Sequence, residues 1–167
     1  MMIMLAMFWI LKSLNILKSN NWILHLDVFD IVNTNYFKII KKDLKKLKNE
    51  NKLILSKCSH ENINEAMRDT NITIVPSEWN EQYGRVIQEA AACGSIILGS
   101  NIGAIPEIIF DKDFLFEKGD FTGLAKKIDD VIINFEKYNN KFEKIRNFIS
   151  QNRTILKQAE IMNLYLW

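Results

Sequence analysis

Short apolar runs suited to strands alternate along this chain with longer stretches whose apolar residues recur every three or four positions. The strand-like runs are Trp22–Val28, Lys52–Ser56, Ile72–Val75, Ser95–Leu98 and Phe114–Phe116. The helical periodicity predicts Leu5–Lys18, Tyr36–Lys48, Glu61–Arg68, Gln82–Cys93, Gly103–Ile109, Leu124–Phe135, Lys141–Gln151 and Ile155–Leu166. Strands that alternate with helices are joined by crossovers, which builds a mainly parallel sheet covered on both faces. The expected fold is therefore α/β and Rossmann-like, with helices on both sides of the sheet. Such open sheets bind ligands at the carboxyl ends of their strands. That directs attention to the loops Val28–Asn35, Lys57–His60, Pro76–Glu81, Gly99–Ile105 and Glu117–Phe121.

Size and composition fit that reading. A chain of 167 residues makes one domain, with no internal repeat and no low-complexity linker. A net charge of +2 gives no electrostatic reason to expect a nucleic-acid partner. The lysines of Tyr36–Lys48 (Lys41, Lys42, Lys45, Lys46 and Lys48) read as a solvated helix face. Two cysteines, Cys58 and Cys93, lack metal-ligand spacing, which argues against a disulfide framework and suits a cytoplasmic protein. The apolar start, Met1–Leu11, is broken by Lys12, Asn15 and Lys18 before a span length is reached. It reads as a buried helix, with membrane association at most peripheral. His25 and His60 have no metal spacing, and Ser77 lacks a nucleophile elbow.

Chemistry concentrates in Pro76-Ser77-Glu78-Trp79-Asn80-Glu81-Gln82-Tyr83-Gly84-Arg85-Val86-Ile87-Gln88-Glu89-Ala90-Ala91-Ala92-Cys93-Gly94. A strand ends, a polar loop follows, and a helix opens with its free N–H groups toward that loop. Such a helix start attracts anions, phosphate above all. Gly84 lets backbone approach a ligand closely. Glu81 is expected in the loop and Glu89 two turns into the helix, where eight residues of helix rise about 12 Å, comparable to the reach of a sugar–diphosphate–ribose ligand. Carboxylates accept paired hydrogen bonds from vicinal hydroxyls, as on a sugar or a ribose. The same pair also occurs by chance on solvated helices. Trp22, Trp79 and Tyr83 read first as core aromatics and second as stacking surfaces for a ligand.

Pro-Ser, Glu81, Gly84, Glu89-Ala90, Ala92 and Gly94, followed by Ser100-Asn101-Ile102-Gly103-Ala104-Ile105-Pro106-Glu107-Ile108-Ile109, resemble the signature of the "group 1" retaining glycosyltransferases. The specific part of the likeness runs from about Asp69 to Glu117. The resemblance implies the second, nucleotide-sugar-binding half of a GT-B fold, spanning residues 1–167 as a single domain. Within it, residues 1–20 form a shortened N-terminal edge and residues 137–167 the closing helices. It implies that Glu81 is the catalytic, donor-sugar glutamate and that Glu89 binds ribose. The backbone at Gln82, Tyr83, Gly84 and Arg85 would hold diphosphate and sugar. Gly103 would shape the Gly-rich loop, and Lys57 and Ser59 would edge the base. The donor is a nucleotide sugar; no metal or separate cofactor is implied.

The chain also departs from the family pattern. No Gly-Arg…Lys-Gly clamp precedes Leu5–Lys18, and only Met1–Met4 could stand for the family's central first strand. No acceptor-binding domain is recognisable, and the apolar set of Ile155–Leu166 exceeds what a lone surface helix needs. The resemblance thus implies glycosyl transfer with retention, and points to a second polypeptide carrying an acceptor domain. Two alternatives stay open: a non-catalytic or decayed nucleotide-sugar-binding module, and a GT-B sugar-nucleotide epimerase.

Overall fold

The structure is a computed structural model that describes residues 3–28, 35–57 and 63–153. Helix α1 (Ile3–Leu14) leads to strand β1 (Leu24–Val28), helix α2 (Asn35–Asn49) and strand β2 (Leu53–Lys57). Helix α3 (Ile63–Arg68), strand β3 (Ile72–Val75), helix α4 (Arg85–Ala92) and strand β4 (Ile96–Ser100) follow. A short helix α5 (Ile105–Ile108) and a 3₁₀ turn (Lys112–Phe114) precede strand β5 (Leu115–Phe116). Helices α6 (Phe121–Ile133) and α7 (Phe135–Asn152) close the described chain. All strand pairs are parallel, as the crossover helices require. The α/β Rossmann-like class is as expected, but among the described residues the strands form two sheets. β1 pairs with β2, and β3-β4-β5 form a separate three-stranded sheet.

β4 is the centre of the core. Ile96, Ile97 and Leu98 are each fully buried. Successive strand residues point to opposite faces, so both faces of β4 are covered; α4, α5, α6 and α7 all contact it. The termination of α4 shows the local chemistry. Gly94 takes φ +91, its N–H donates to Ala91 O at 3.1 Å, and Ser95 N–H donates to Ala90 O at 3.1 Å. This pair of bonds is a Schellman cap, which the sequence placed at Gly94.

Several boundaries differ from expectation. α1 ends at Leu14 rather than Lys18, where the buried Ser13 hydroxyl turns back onto Ile10 O at 2.7 Å. β4 extends through Gly99 and Ser100, which pair with Leu115 and Phe116. Of Met1–Met4, which alone could stand for the family's first strand, Ile3 and Met4 belong to α1, and Met1 and Met2 lie outside the described residues. The predicted helix Ile155–Leu166 lies outside the described residues. The predicted buried N-terminal helix does form, with Ile10, Leu11 and Leu14 in the core. No helix among the described residues is long and apolar enough to cross a membrane.

Candidate functional site

The carboxyl ends of β3 and β4 bring the motif together. Beyond Val75 the chain crosses over the end of β4, where the buried Ser100 hydroxyl donates to Ser77 O at 2.9 Å. Residue spacing assigns Ser100 no such role; its signal is a hydroxyl ending an otherwise apolar, fully buried strand. Past Ser77, the Glu81 N–H closes a tight turn onto Trp79 O at 2.8 Å. Glu81 O then accepts from Ala104 N–H at 2.7 Å.

This last bond joins two loops backbone to backbone, and Gly103 makes the approach feasible. Gly103 has φ +58, and a Cβ there would stand 2.5 Å from Glu81 N and 2.7 Å from Glu81 O. Only glycine fits both the left-handed conformation and the space. Gly84 plays a related part at the other end of the loop. It has φ +65, and a Cβ would lie 2.6 Å from Ile108 Cδ1 of α5. The Gly103 turn and α5 therefore hold both ends of Glu81–Gly84.

Gly84 also resets the helix start. A left-handed residue cannot continue an α-helix, so α4 begins at Arg85 and not at the predicted Gln82. Glu89 consequently sits one turn into α4, about 6 Å from the first residue along the axis. The estimate of about 12 Å of helix between Glu81 and Glu89 does not hold, because Glu81, Gln82 and Tyr83 are loop residues. No side chain caps α4, and Gly84 O accepts from Ile87 and Gln88 N–H. The positive end of the helix is thereby left for an anion.

Around this helix start, the half-buried Glu81 extends its own Oε1 to Gly84 N–H at 3.4 Å. Gln82 is exposed, and Tyr83 is half-buried, with its carbonyl accepting from Gln88 Nε2 at 3.2 Å. Arg85 Nη2 stands 3.6 Å from Glu89 Oε1, with the arginine side chain 79% exposed. The loop after β3, the start of α4 and the turn after β4 thus bring together Glu81, Gln82, Tyr83, Gly84, Arg85, Glu89 and Gly103. Lys57 ends β2 in the other sheet, and Ser59 lies outside the described residues. Of the aromatics, Trp79 is exposed beside the loop, while Trp22 is half-buried with its Nε1 donating to Ser19 O at 3.0 Å. His25 bonds Ser56 Oγ at 2.9 Å, and no metal-binding group occurs among the described residues.

Known proteins share this fold. The N-acetyl-alpha-D-glucosaminyl L-malate synthase of Bacillus anthracis is 33% identical over 91 residues, covering 53% of this chain and 24% of that protein. A crystal structure of Anabaena HepE in complex with UDP superposes with a TM-score of 0.79 at 20% identity, over 96% of this chain and 45% of that one. The catalytic domain of cholesterol-alpha-glucosyltransferase from Helicobacter pylori gives a TM-score of 0.69 at 16% identity, over 89% of this chain and 90% of that chain. At such identities the structural likeness is one of fold, and this fold is that of GT-B glycosyltransferases. The chain spans about a quarter of the curated relative's length and under half of the HepE chain. Since the family of glycosyl transferases group 1 matches residues 8–148, across both the Glu81–Glu89 loop and the Gly103 turn, the chain belongs to that family.

Proposed function

We propose that this site binds the sugar and diphosphate of a nucleotide-activated sugar, as the donor-binding part of a retaining glycosyltransferase. The observation that carries this reading is the pinned loop. Gly103 and Gly84 fix Glu81 beside the uncapped start of α4. A fixed carboxylate next to a helix N-terminus suits a ligand with a hydroxyl-rich end and an anionic middle. Glu81 would meet the sugar, the α4 N–H groups the diphosphate, and Glu89 the ribose. The exposed Arg85–Glu89 pair is worth only about 0.3–0.5 kcal/mol, so Arg85 can leave it to meet the diphosphate. HepE, whose structures hold UDP and UDP-glucose, supports a donor of this class. The nucleotide sugar enters this reading as donor substrate, with no separate cofactor.

A second reading, a donor-binding module that turns over only with a partner polypeptide, rests on the chain's spanning under half of the HepE chain. Transfer requires acceptor and donor to be positioned together, and that positioning supplies several kcal/mol of barrier reduction. Purified chain incubated with nucleotide sugars and acceptors, alone and with the product of an adjacent gene, separates the two.

Titration calorimetry tests the site itself. Glu89→Gln should weaken UDP and GDP binding by about tenfold or more, since a hydrogen bond to a charged group is worth about 1.5–3 kcal/mol. Glu81→Ala should spare UDP while weakening UDP-glucose. Unchanged affinity in the first variant, or equal losses for both ligands in the second, rejects these roles.

A further inference from the structure

Helix α4 supplies both the free N–H groups and the Glu89 carboxylate of the site, yet it is only eight residues long. A helix that short, about 12 Å, takes its position from what grips its two ends. The N-terminal grip is the close approach of Gly84 to Ile108 of α5. At the other end, beyond the last turn, the Gly94 carbonyl accepts from Nη2 of Arg146 at 2.8 Å. Arg146 belongs to α7, which the core holds in place through Phe142, Ile145 and Ile149.

The arginine is built into this contact. Its side chain is only 15% exposed. Nη2 also donates to Asn139 Oδ1 at 2.7 Å, two turns back along α7, and Nη1 pairs with Glu143, one turn back. The guanidinium lies over the Phe142 ring, 5.4 Å from its centroid. Nε is buried and has no hydrogen-bond partner among the described residues. Burying a cation with one donor unsatisfied costs stability, and a leucine here would avoid that cost. What the arginine alone provides is a planar fork, steadied by Asn139, Glu143 and Phe142, that carries a fixed donor across to α4. A cation at this end also suits the negative pole of α4, an effect confined to the last turn.

We propose that Arg146 is a positioning residue for donor binding: it fixes α4 along its axis, and so sets Glu89 and the helix N–H groups at their distance from Glu81. This role rests on the reading of the α4 start as a nucleotide-sugar site. Arg146 grips the opposite end of a helix about 12 Å long, so it acts through the helix and does not meet the ligand. Glu81 is held separately, by the Gly103 turn and the bond from Ala104 N–H. A shift of α4 therefore changes the separation of Glu81 and Glu89. A ligand that spans both carboxylates feels that change fully, and a ligand that meets α4 alone feels it less. UDP-glucose is of the first kind and UDP of the second.

Titration calorimetry on the full chain with UDP and UDP-glucose, well below every melting temperature, tests this role. Arg146→Met should weaken UDP-glucose by about tenfold and UDP by no more than about threefold, since a displacement of about 1 Å is enough to spoil a multi-point fit. Arg146→Lys, which keeps the cation and an N–H donor for Gly94 O, should recover most of that loss. Val131→Ala, a change at a fully buried position of α6, should lower the melting temperature and leave both affinities unchanged. In the milder Arg146→Gln, hydrogen exchange should quicken in α4 and not in α6, a readout that stands whether or not Arg146→Met folds. Unchanged affinities in Arg146→Met, equal losses for the two ligands, or a lysine variant as weak as the methionine one overturns the role. So does the same split between ligands in Val131→Ala, or no quickening of α4 in Arg146→Gln. No binding of either ligand by the unaltered chain rejects the donor-site reading itself, and this role with it.

Discussion

β2 and β4 have nearly the same composition, Leu-Ile-Leu-Ser-Lys and Ile-Ile-Leu-Gly-Ser, and opposite environments. Ile96, Ile97 and Leu98 of β4 are buried completely, whereas Ile54 and Leu55 of β2 are 50% and 45% exposed. Ile54 and Leu55 are neighbours on opposite faces, so neither face of β2 is well covered. Burial in this molecule follows from what packs on a strand, and β-propensity alone does not decide it. The site lies on the half where that packing is complete. Glu81 and Glu89 stand on elements anchored to β4, and close packing holds functional side chains where a ligand needs them.

The largest expected effect breaks the better-packed half directly. Phe142 of α7 is fully buried and meets Phe114 edge-on at 4.9 Å between ring centroids. Phe142→Ala should cost about 3–5 kcal/mol in urea unfolding, through lost burial and the cavity left behind. Leu55→Ala, in the exposed strand, should cost no more than about 0.5 kcal/mol. Comparable losses for the two would mean that β2 is as well packed as β4.

Asp129 sharpens the comparison, because it ties the approach to β1 onto the well-packed half. It is buried, and its two oxygens accept from Lys18 and Ser19 N–H at 2.9 Å each. Asp129→Ala should cost about 1.5–3 kcal/mol, the worth of hydrogen bonds to a charged group. Hydrogen exchange should quicken in β1 more than in β4. Equal acceleration in both strands would show that the tie is not local.

Much of this was legible in the sequence, and the failures have physical causes. The strand Ile72–Val75 and the cap at Gly94 were read correctly, because local residue chemistry decides both. α4 starts three residues later than the periodicity predicts, since nothing in that periodicity reveals that Gly84 adopts φ +65. The residues from Glu81 to Glu89 are recognisable in the sequence, but the bond from Ala104 N–H to Glu81 O beside Gly103 is not. It depends on two loops meeting across more than twenty residues, which spacing cannot convey. The split of the strands into two sheets was hidden for the same reason: apolar runs identify strands without naming their neighbours.

The smallest expected effect lies at the edge of the well-packed half, where α7 is pinned to the 3₁₀ turn. Lys141 Nζ reaches Asp111 Oδ2 at 2.9 Å and also bonds Asp113. The hydrogen bonds to Asp113 and then Asp111 raise the lysine above its ordinary value, against the opposing pull of burial. Burial pushes Asp111 up, but it is outweighed by the Lys141 hydrogen bond, the Asp113 N–H and the charges of Lys141 and Lys127, which leave its carboxyl lowered. A raised lysine stabilises the fold fully below its unfolded value of about 10.4, and loses that contribution as pH climbs through the folded value. A lowered aspartate contributes above about 3.9 and loses its share as pH falls through its folded value. Both contributions are thus present between about pH 4 and pH 10. Solvent screening at this partly exposed cluster limits the sum to about 0.5–1 kcal/mol. Lys141→Met should lose that amount at about pH 7 and less at about pH 2, because the Asp111 share falls away as pH drops through its lowered value. The deficit should also shrink in about 1 M salt, because screening weakens surface pairs. Urea titrations of both proteins at the two pH values check this, and a deficit independent of pH and salt would assign the role of Lys141 to its packing rather than its charge.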